Sequence, residues 1–188
     1  RWSGSAWSSI FEDLNGGLDA EGYSIVELNG KIYVSGGFTT AGKIAANGVA
    51  CYDKATNTWT TLPGSHPSTL VVHQGELYSS WWTDTPAPPY PLTVDRWTGS
   101  AWVTVGNLEG GAVGSPVSIG GMLYVYGDIS VANGTPINYI AKSNGTTWSD
   151  AGAGIPPNAN SAVWAMCKVS SALYATTNTA EIVAGNQV

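Results

Sequence analysis

Charge is scarce in this chain. Only 11% of its 188 residues are Asp, Glu, Lys or Arg, and the seven basic ones (Arg1, Lys31, Lys43, Lys54, Arg96, Lys142 and Lys168) are scattered. With no basic stripe to neutralise phosphates and a net charge of −6, no nucleic-acid partner is expected. Two cysteines, Cys51 and Cys167, are too few for a disulfide framework or a zinc site. No apolar run approaches the ~20 residues that a membrane-spanning helix needs, so no membrane span is expected. No secretory leader is legible either, and the chain opens on Arg1, which we read as processing or trimming. Helical periodicity is missing almost throughout, which excludes bundle architectures.

What the chain has in quantity is Gly (24), Pro (10), Trp (nine) and Tyr (nine). Glycine and proline fall as turn punctuation between short runs of Val, Ile, Tyr, Thr and Trp, the signature of strands. Such a chain solvates itself with Ser, Thr, Asn and Gly, as many secreted or surface-exposed β proteins do.

The runs repeat. A turn followed by an apolar-Tyr strand occurs at Asn29-Gly30-Lys31-Ile32-Tyr33, Gln74-Gly75-Glu76-Leu77-Tyr78, Gly120-Gly121-Met122-Leu123-Tyr124 and Ser170-Ser171-Ala172-Leu173-Tyr174, with Tyr spacings of 45, 46 and 50. A Trp opens another strand at Trp7, Trp59, Trp102 and Trp148, spaced 52, 43 and 46. A period of roughly 46 residues with several strands per unit is what propeller blades show.

Each repeat resolves into four strands. The first are expected at 23–28, 68–73, 116–119 and 162–169, the second at 31–36, 76–81, 122–126 and 172–176. The third are expected at 48–53, 92–97, 138–142 and 181–184, the fourth at 58–62, 101–105 and 147–151. The last repeat lacks a fourth strand, and the missing sequence stands at the other end. Arg1-Trp2-Ser3-Gly4-Ser5-Ala6-Trp7 nearly duplicates Arg96-Trp97-Thr98-Gly99-Ser100-Ala101-Trp102. Pairing residues 6–10 with the last repeat would remove two open sheet edges.

First-to-second turns are two residues long, the hairpin type that needs positive φ. Third-to-fourth turns are short as well. The second-to-third connections (37–47, 82–91, 127–137) and fourth-to-first connections (11–22, 152–161) are long. In an up-and-down blade both long classes emerge on one rim, where function carried by loops belongs.

At Val49-Ala50-Cys51-Tyr52-Asp53-Lys54-Ala55-Thr56-Asn57-Thr58-Trp59-Thr60-Thr61-Leu62-Pro63 the sequence resembles the Kelch repeat, with its Tyr-Asp, short turn, Asn-x-Trp and Leu-Pro. Ile32-Tyr33-Val34-Ser35-Gly36-Gly37 supplies that family's Gly-Gly strand end. Ile32–Ala41 is similar to Kelch-like repeats of bacterial, phage and environmental surface proteins that read LYVGGxFTxAG. Later repeats depart: Gly-Gly becomes Trp81-Trp82, Gly127-Asp128 and Thr177-Asn178. The resemblance implies a β-propeller, in a family usually of five to eight blades. Most members bind proteins or glycans; a minority, the galactose-oxidase-like copper-radical enzymes, are catalytic. Fold analogy alone assigns no function.

A copper-radical site would need two His, a Cys-crosslinked Tyr and an axial Tyr at one place. His66 and His73 fall at opposite ends of the second repeat and read as surface histidines. Cys51 on a third strand and Cys167 on a first strand are not nearest neighbours even in a closed ring. A disulfide needs Cα atoms within roughly 7 Å, so two buried free thiols are expected. Glu12, Asp13, Asp19 and Glu21 crowd one long loop, while Asp84 and Asp128 sit at equivalent strand ends. Without a metal-loop spacing these read as solvated loop charge. Trp81 and Trp82, followed by a Pro-stiffened loop to Tyr90, suit stacking on a sugar or anchoring a protein partner. Packing between blades would consume the same aromatics. Asn144-Gly145-Thr146 and Asn133-Gly134-Thr135 are glycosylation sequons if the source is eukaryotic, or plain Asn-Gly turns.

The expectation is therefore all-β: one β-propeller domain over residues 1–188, with four four-stranded Kelch-like blades at 22–62, 68–105, 115–151 and 162–184. The N-terminal strand 6–10 completes the last blade. The expected role is a non-catalytic binding or assembly module, an adhesion or structural subunit that is secreted, cell-surface or virion-exposed. Its partner would be a protein or glycan on a surface, or neighbouring copies joined by strand exchange. Candidate ligand-binding residues are Trp81, Trp82, Asp84, Tyr90 and Asp128; no catalytic residue, metal or cofactor is expected. The alternatives are a lectin-like propeller using the long-loop rim and the scaffold part of a secreted oxidase or hydrolase.

Overall fold

Two-residue turns at positive φ set the hairpins of this protein. Asn29 and Gly30 (φ 52° and 78°), Gln74 and Gly75 (50° and 78°), and Gly120 and Gly121 (58° and 76°) each reverse the chain between a first and a second strand. The computed structural model describes residues 2–8, 17–64, 69–82, 92–153, 155, 162–170, 172–177 and 182–185, and all regular structure among them is β. The chain divides into two compact units, Arg1–Pro67 and Ser68–Val188.

The first unit is built on one antiparallel meander. Strands β1 (Gly22–Leu28) and β2 (Lys31–Gly36) pair through the Asn29-Gly30 turn. The connection that follows folds as its own hairpin, β3 (Thr40–Ala41) and β4 (Ile44–Ala45). Strands β5 (Val49–Asp53) and β6 (Thr58–Thr61) complete the sheet in the order β1-β2-β5-β6. Gly36 is dictated by a close approach, because a Cβ there would strike the backbone carbonyl of Glu21. One face of the sheet buries Val34, Ala50, Tyr52 and Trp59 together with Phe38, Ala41 and Ala46 of the inserted hairpin.

In the second unit β7 (Thr69–His73), β8 (Glu76–Trp82), β9 (Leu92–Trp97) and β10 (Trp102–Val113) form the second repeat. β11 (Val117–Ile119), β12 (Met122–Ala132), β14 (Ile140–Ser143) and β15 (Trp148–Asp150) form the third, with the short β13 (Thr135–Pro136) folded back on β12. The fourth repeat contributes β16 (Val163–Val169), β17 (Ala172–Thr177) and β18 (Ile182–Gly185) as a three-stranded sheet. β11 packs against both β7 and β16. Two apolar clusters hold this unit, one joining the second and third repeats around Leu92, Leu108, Leu123 and Trp148. The other joins the third and fourth around Ile119, Tyr124, Tyr126 and Met166.

The structure corrects two expected boundaries. The fourth strand placed at 101–105 runs on to Val113, and the loop placed at 127–137 is largely strand. β10 pairs with β9 through residues 102–108 and then with β12 through 108–113, so one strand joins two repeats. Burial explains the difference: Leu108, Ile129 and Ala132 are at most 2% exposed. Backbone buried beside them must find partners, and a ladder between the two segments supplies them.

The N-terminal duplication is also structural. A bridge joins Trp2 to Trp7, as Trp97 pairs with Trp102. The Ser3 amide donates to the Ala6 carbonyl at 3.0 Å, and the Thr98 amide to the Ala101 carbonyl at 2.9 Å. The ring pairs match at 5.4 and 5.3 Å, close to the 5.3 Å of Tyr52 and Trp59 in the first repeat. Residues 2–7 therefore have the geometry of a third-to-fourth-strand turn; Ser9 and Ile10 of the expected closing strand lie outside the described residues.

Candidate functional site

Among the described residues two long second-to-third connections, 37–47 and 127–137, are hairpins, and they are built alike. In the first repeat the Gly36 amide donates to the Gly48 carbonyl (2.9 Å), Ala46 to Thr39 (2.8 Å) and Gly48 to Phe38 (3.0 Å). In the third repeat Gly127 donates to Tyr139 (3.0 Å), Ile137 to Ser130 (2.9 Å) and Tyr139 to Ile129 (3.2 Å). Residues 36–48 thus correspond to 127–139 bond for bond. Gly48 and Tyr139 even share a left-handed backbone, at φ 74° and 64°. Phe38 and Ile129, each 1% exposed, point the same anchor inward. Fully burying a side chain of that size stabilises by roughly 1.5–3 kcal/mol, so these hairpins are part of the core and not loose arms.

Each hairpin is also tied to the segment that enters its repeat. In the first unit Leu18 bridges Ala41, and the Gly42 amide donates to the Gly17 carbonyl at 2.8 Å. Asp19 adds a side-chain clamp: Oδ1 accepts from the Thr39 and Thr40 amides, both at 2.8 Å, and Oδ2 from the Thr39 hydroxyl at 2.6 Å. The Thr39 hydroxyl and the Thr40 amide bring the Asp19 carboxyl down to about 2. In the second unit Leu108 pairs with Ala132, and the Asn133 amide donates to the Asn107 carbonyl at 2.7 Å. Asn133 Oδ1 accepts from the Asn107 amide in return, also at 2.7 Å.

Asn138 ties the third-repeat hairpin to the chain beyond it. Its Nδ2 donates to the carbonyls of Gly152 (2.9 Å) and Ile155 (2.8 Å), and its amide donates to Asp150 Oδ1 (2.8 Å). What the hairpins then present to solvent is small and weakly charged: Thr39, Lys43, Ala45 and Asn47 in one, Asp128, Ser130, Asn133, Gly134 and Pro136 in the other. Such a surface offers hydrogen-bonding groups on a rigid base and little that resembles an acid–base pair.

The expected site residues fall as follows. Asp128 is exposed at the position that Gly37 holds in the first repeat, with its carboxylate against Gly111. Trp81 and Trp82 lie in β8, paired with Thr93 and Leu92, while Asp84 and Tyr90 lie outside the described residues. Asn144 is exposed in its turn, with Oδ1 accepting from the Thr146 and Thr147 amides at 3.0 Å each. Asn133 is exposed in the hairpin turn at φ 47°. Asp19, read from sequence as solvated loop charge, is exposed and is also the hairpin clamp.

Two further expectations are corrected. His73, expected at the surface, is 1% exposed, because β7 faces the neighbouring β11 and its Nδ1 lies 2.9 Å from Ser118 Oγ; His66 lies outside the described residues. Cys167, expected to be buried, is exposed; it pairs across strands with Tyr174 on the face of β16 opposite buried Met166. Cys51 is a buried free thiol, pushed up by burial. Across from it, burial and the neighbouring thiol push Tyr33 up to about 12. Among the described residues no three His, Cys, Asp or Glu side chains gather into a group that could hold a metal ion.

No curated protein matches the chain. The family comparison instead speaks to its first repeat, where the meander β1-β2-β5-β6 and its inserted hairpin lie. Residues 21–66 match the Kelch motif.

Proposed function

We propose that this protein is a non-catalytic, Kelch-like β-propeller module that binds a protein partner through its second-to-third-strand hairpins, outside the cell or on a surface. The observation that carries the reading is the pair of core-anchored hairpins, 36–48 and 127–139, one inside the Kelch motif and the other matching it bond for bond. A rigid scaffold that spends Phe38, Ile129, Asp19 and Asn138 on fixing these hairpins fits recognition better than chemistry. Low charge and abundant hydroxyl and amide side chains support an extracellular or surface setting.

The test is capture of a partner by the wild-type chain, compared with a chain in which residues 39–45 are replaced by a short Gly-Ser turn. Altering the third-to-fourth-strand turn at 98–100 serves as the control. Binding lost only on changing 39–45 is the expected result. A partner held equally by both variants, or a turnover activity in the purified chain, would overturn the reading.

The same proposal includes closure of four blades into one ring, with residues 6–10 as the last blade's fourth strand. The duplicated turn at Trp2–Trp7 supports it. Deleting residues 1–10 should then lower the melting temperature of a monomer, or abolish assembly if strands are exchanged between copies. Equal melting and equal oligomer size after the deletion would sink closure.

A further inference from the structure

One buried titratable group in the second unit is left without a role by the hairpins. His73 ends β7, the first strand of the second repeat, and it is 1% exposed. Its Nδ1 meets Ser118 Oγ at 2.9 Å on β11, the first strand of the third repeat. Its Nε2 is buried and has no hydrogen-bond partner among the described residues. The ring stands edge-on to Tyr78, with centroids 5.4 Å apart. A second bond runs beside it between the same repeats, from Gln74 Nε2 to the Gly121 carbonyl at 2.8 Å.

We propose that the His73–Ser118 contact is an acid-sensitive latch between the second and third repeats, closed with a neutral imidazole and released when the ring takes a second proton. The neutral ring makes one hydrogen bond through Nδ1 and leaves the buried Nε2 without one among the described residues. If Nδ1 carries the proton, protonation creates a buried N–H at Nε2 with no acceptor among the described residues. If Nε2 carries it, protonation at Nδ1 forces Ser118 from donor to acceptor and leaves that same N–H unmatched. Either way a positive charge forms where water is excluded.

The groups facing the ring do not rescue that charge. On β8, Tyr78 is neutral over the relevant range, its hydroxyl raised by burial, and Glu76 is cross-strand from His73. Glu76 favours the charged ring, but its carboxylate is turned to Arg96, 3.2 Å away. On β11 the partner is the uncharged Ser118. Burial outweighs Glu76, and the His73 imidazole is held below its ordinary value of 6.5. A lowered folded value means the latch is fully closed above 6.5 and weakens as pH falls from there through the folded value.

The experiment is hydrogen exchange on the full chain at pH 7.5 and 5.5, corrected for intrinsic rates, following 69–73 and 117–119. Protection of both strands should fall by up to about tenfold at pH 5.5, the limit set by an open-state value near 6.5. The chain has only two histidines, so His66→Gln should keep this response and His73→Gln should lose it. An acid-dependent fall in protection that persists in His73→Gln would overturn the proposal. Independently of how that variant folds, NMR titration of the remaining imidazole in His66→Gln should give a midpoint below 6.5. A midpoint at or above 6.5 would overturn it too.

Discussion

The contact between Gly106 and Trp148 offers a quantitative test of how the second and third repeats are joined. Trp148 is 7% exposed, and its indole N–H donates to the Val105 carbonyl at 2.8 Å. A Cβ built on Gly106 would lie 2.6 Å from Cζ2 and 2.8 Å from Cε2 of that ring. Gly106 has no left-handed φ, so alanine there brings a steric effect and little backbone strain. Overpacking of this kind costs about 1–3 kcal/mol, while replacing glycine in a strand returns roughly 0.5–1 kcal/mol of chain entropy. Gly106→Ala should therefore destabilise the wild type. In a Trp148→Ala background, itself destabilised by about 3–5 kcal/mol, the clash is gone and the same change should be neutral or favourable. Urea unfolding of the four chains, read by circular dichroism with a check that the denaturant slope is unchanged, closes the cycle. If Gly106→Ala carries the same penalty in both backgrounds, the ring does not set that position and the reasoning fails.

Asp19→Ala should free the 38–46 hairpin while leaving the meander paired, seen as faster amide exchange at Thr39 and Thr40. Because the carboxyl is lowered to about 2, the clamp should be intact above its unfolded value of 3.8 and lost as pH falls through about 2; unchanged exchange in the variant would refute the clamp. Iodoacetamide on the native chain should label exposed Cys167 alone, and Cys51 should react only after unfolding. Intact-mass analysis that finds both thiols labelled at equal rates in the native chain would contradict this placement.

The strand framework was legible because its determinants are local. A two-residue turn at positive φ followed by Leu-Tyr or Ile-Tyr leaves few options, and the hairpins at Asn29-Gly30, Gln74-Gly75 and Gly120-Gly121 follow. Trp59, Trp102 and Trp148 likewise mark fourth strands because each pairs across the short turn that precedes it. What could not be read was where a strand ends when nothing local stops it. β10 passes through Gly106, Gly110 and Gly111, which lie outside the strands expected from sequence, because β12 lies alongside and tolerates nothing larger at Gly110. The placement of His73 was missed for the same reason. Its burial depends on β11, some 45 residues away in sequence, and no neighbour in the chain announces it.

The hairpins show how a shared structure can hide behind unlike letters. Phe38-Thr39-Thr40-Ala41-Gly42 and Ile129-Ser130-Val131-Ala132-Asn133 agree only at the alanine, yet their backbones bond identically. Physics requires little of such a segment: one large apolar anchor, a small residue where it crosses the entering strand, and a turn that tolerates positive φ. Gly42 (φ 61°) and Asn133 (φ 47°) both satisfy the last condition, and Ala41 and Ala132, each 0% exposed, the second. The outward positions carry no such constraint, so Gly37 can become Asp128 and Lys43 can become Gly134 without disturbing the frame. Variation allowed on a surface that is held rigid from beneath is the property a recognition surface needs. The same reasoning separates Asp19 and Asn138, which face other backbone and fix the hairpins, from Asp128 and Asn133 Nδ2, which remain available on the exposed side.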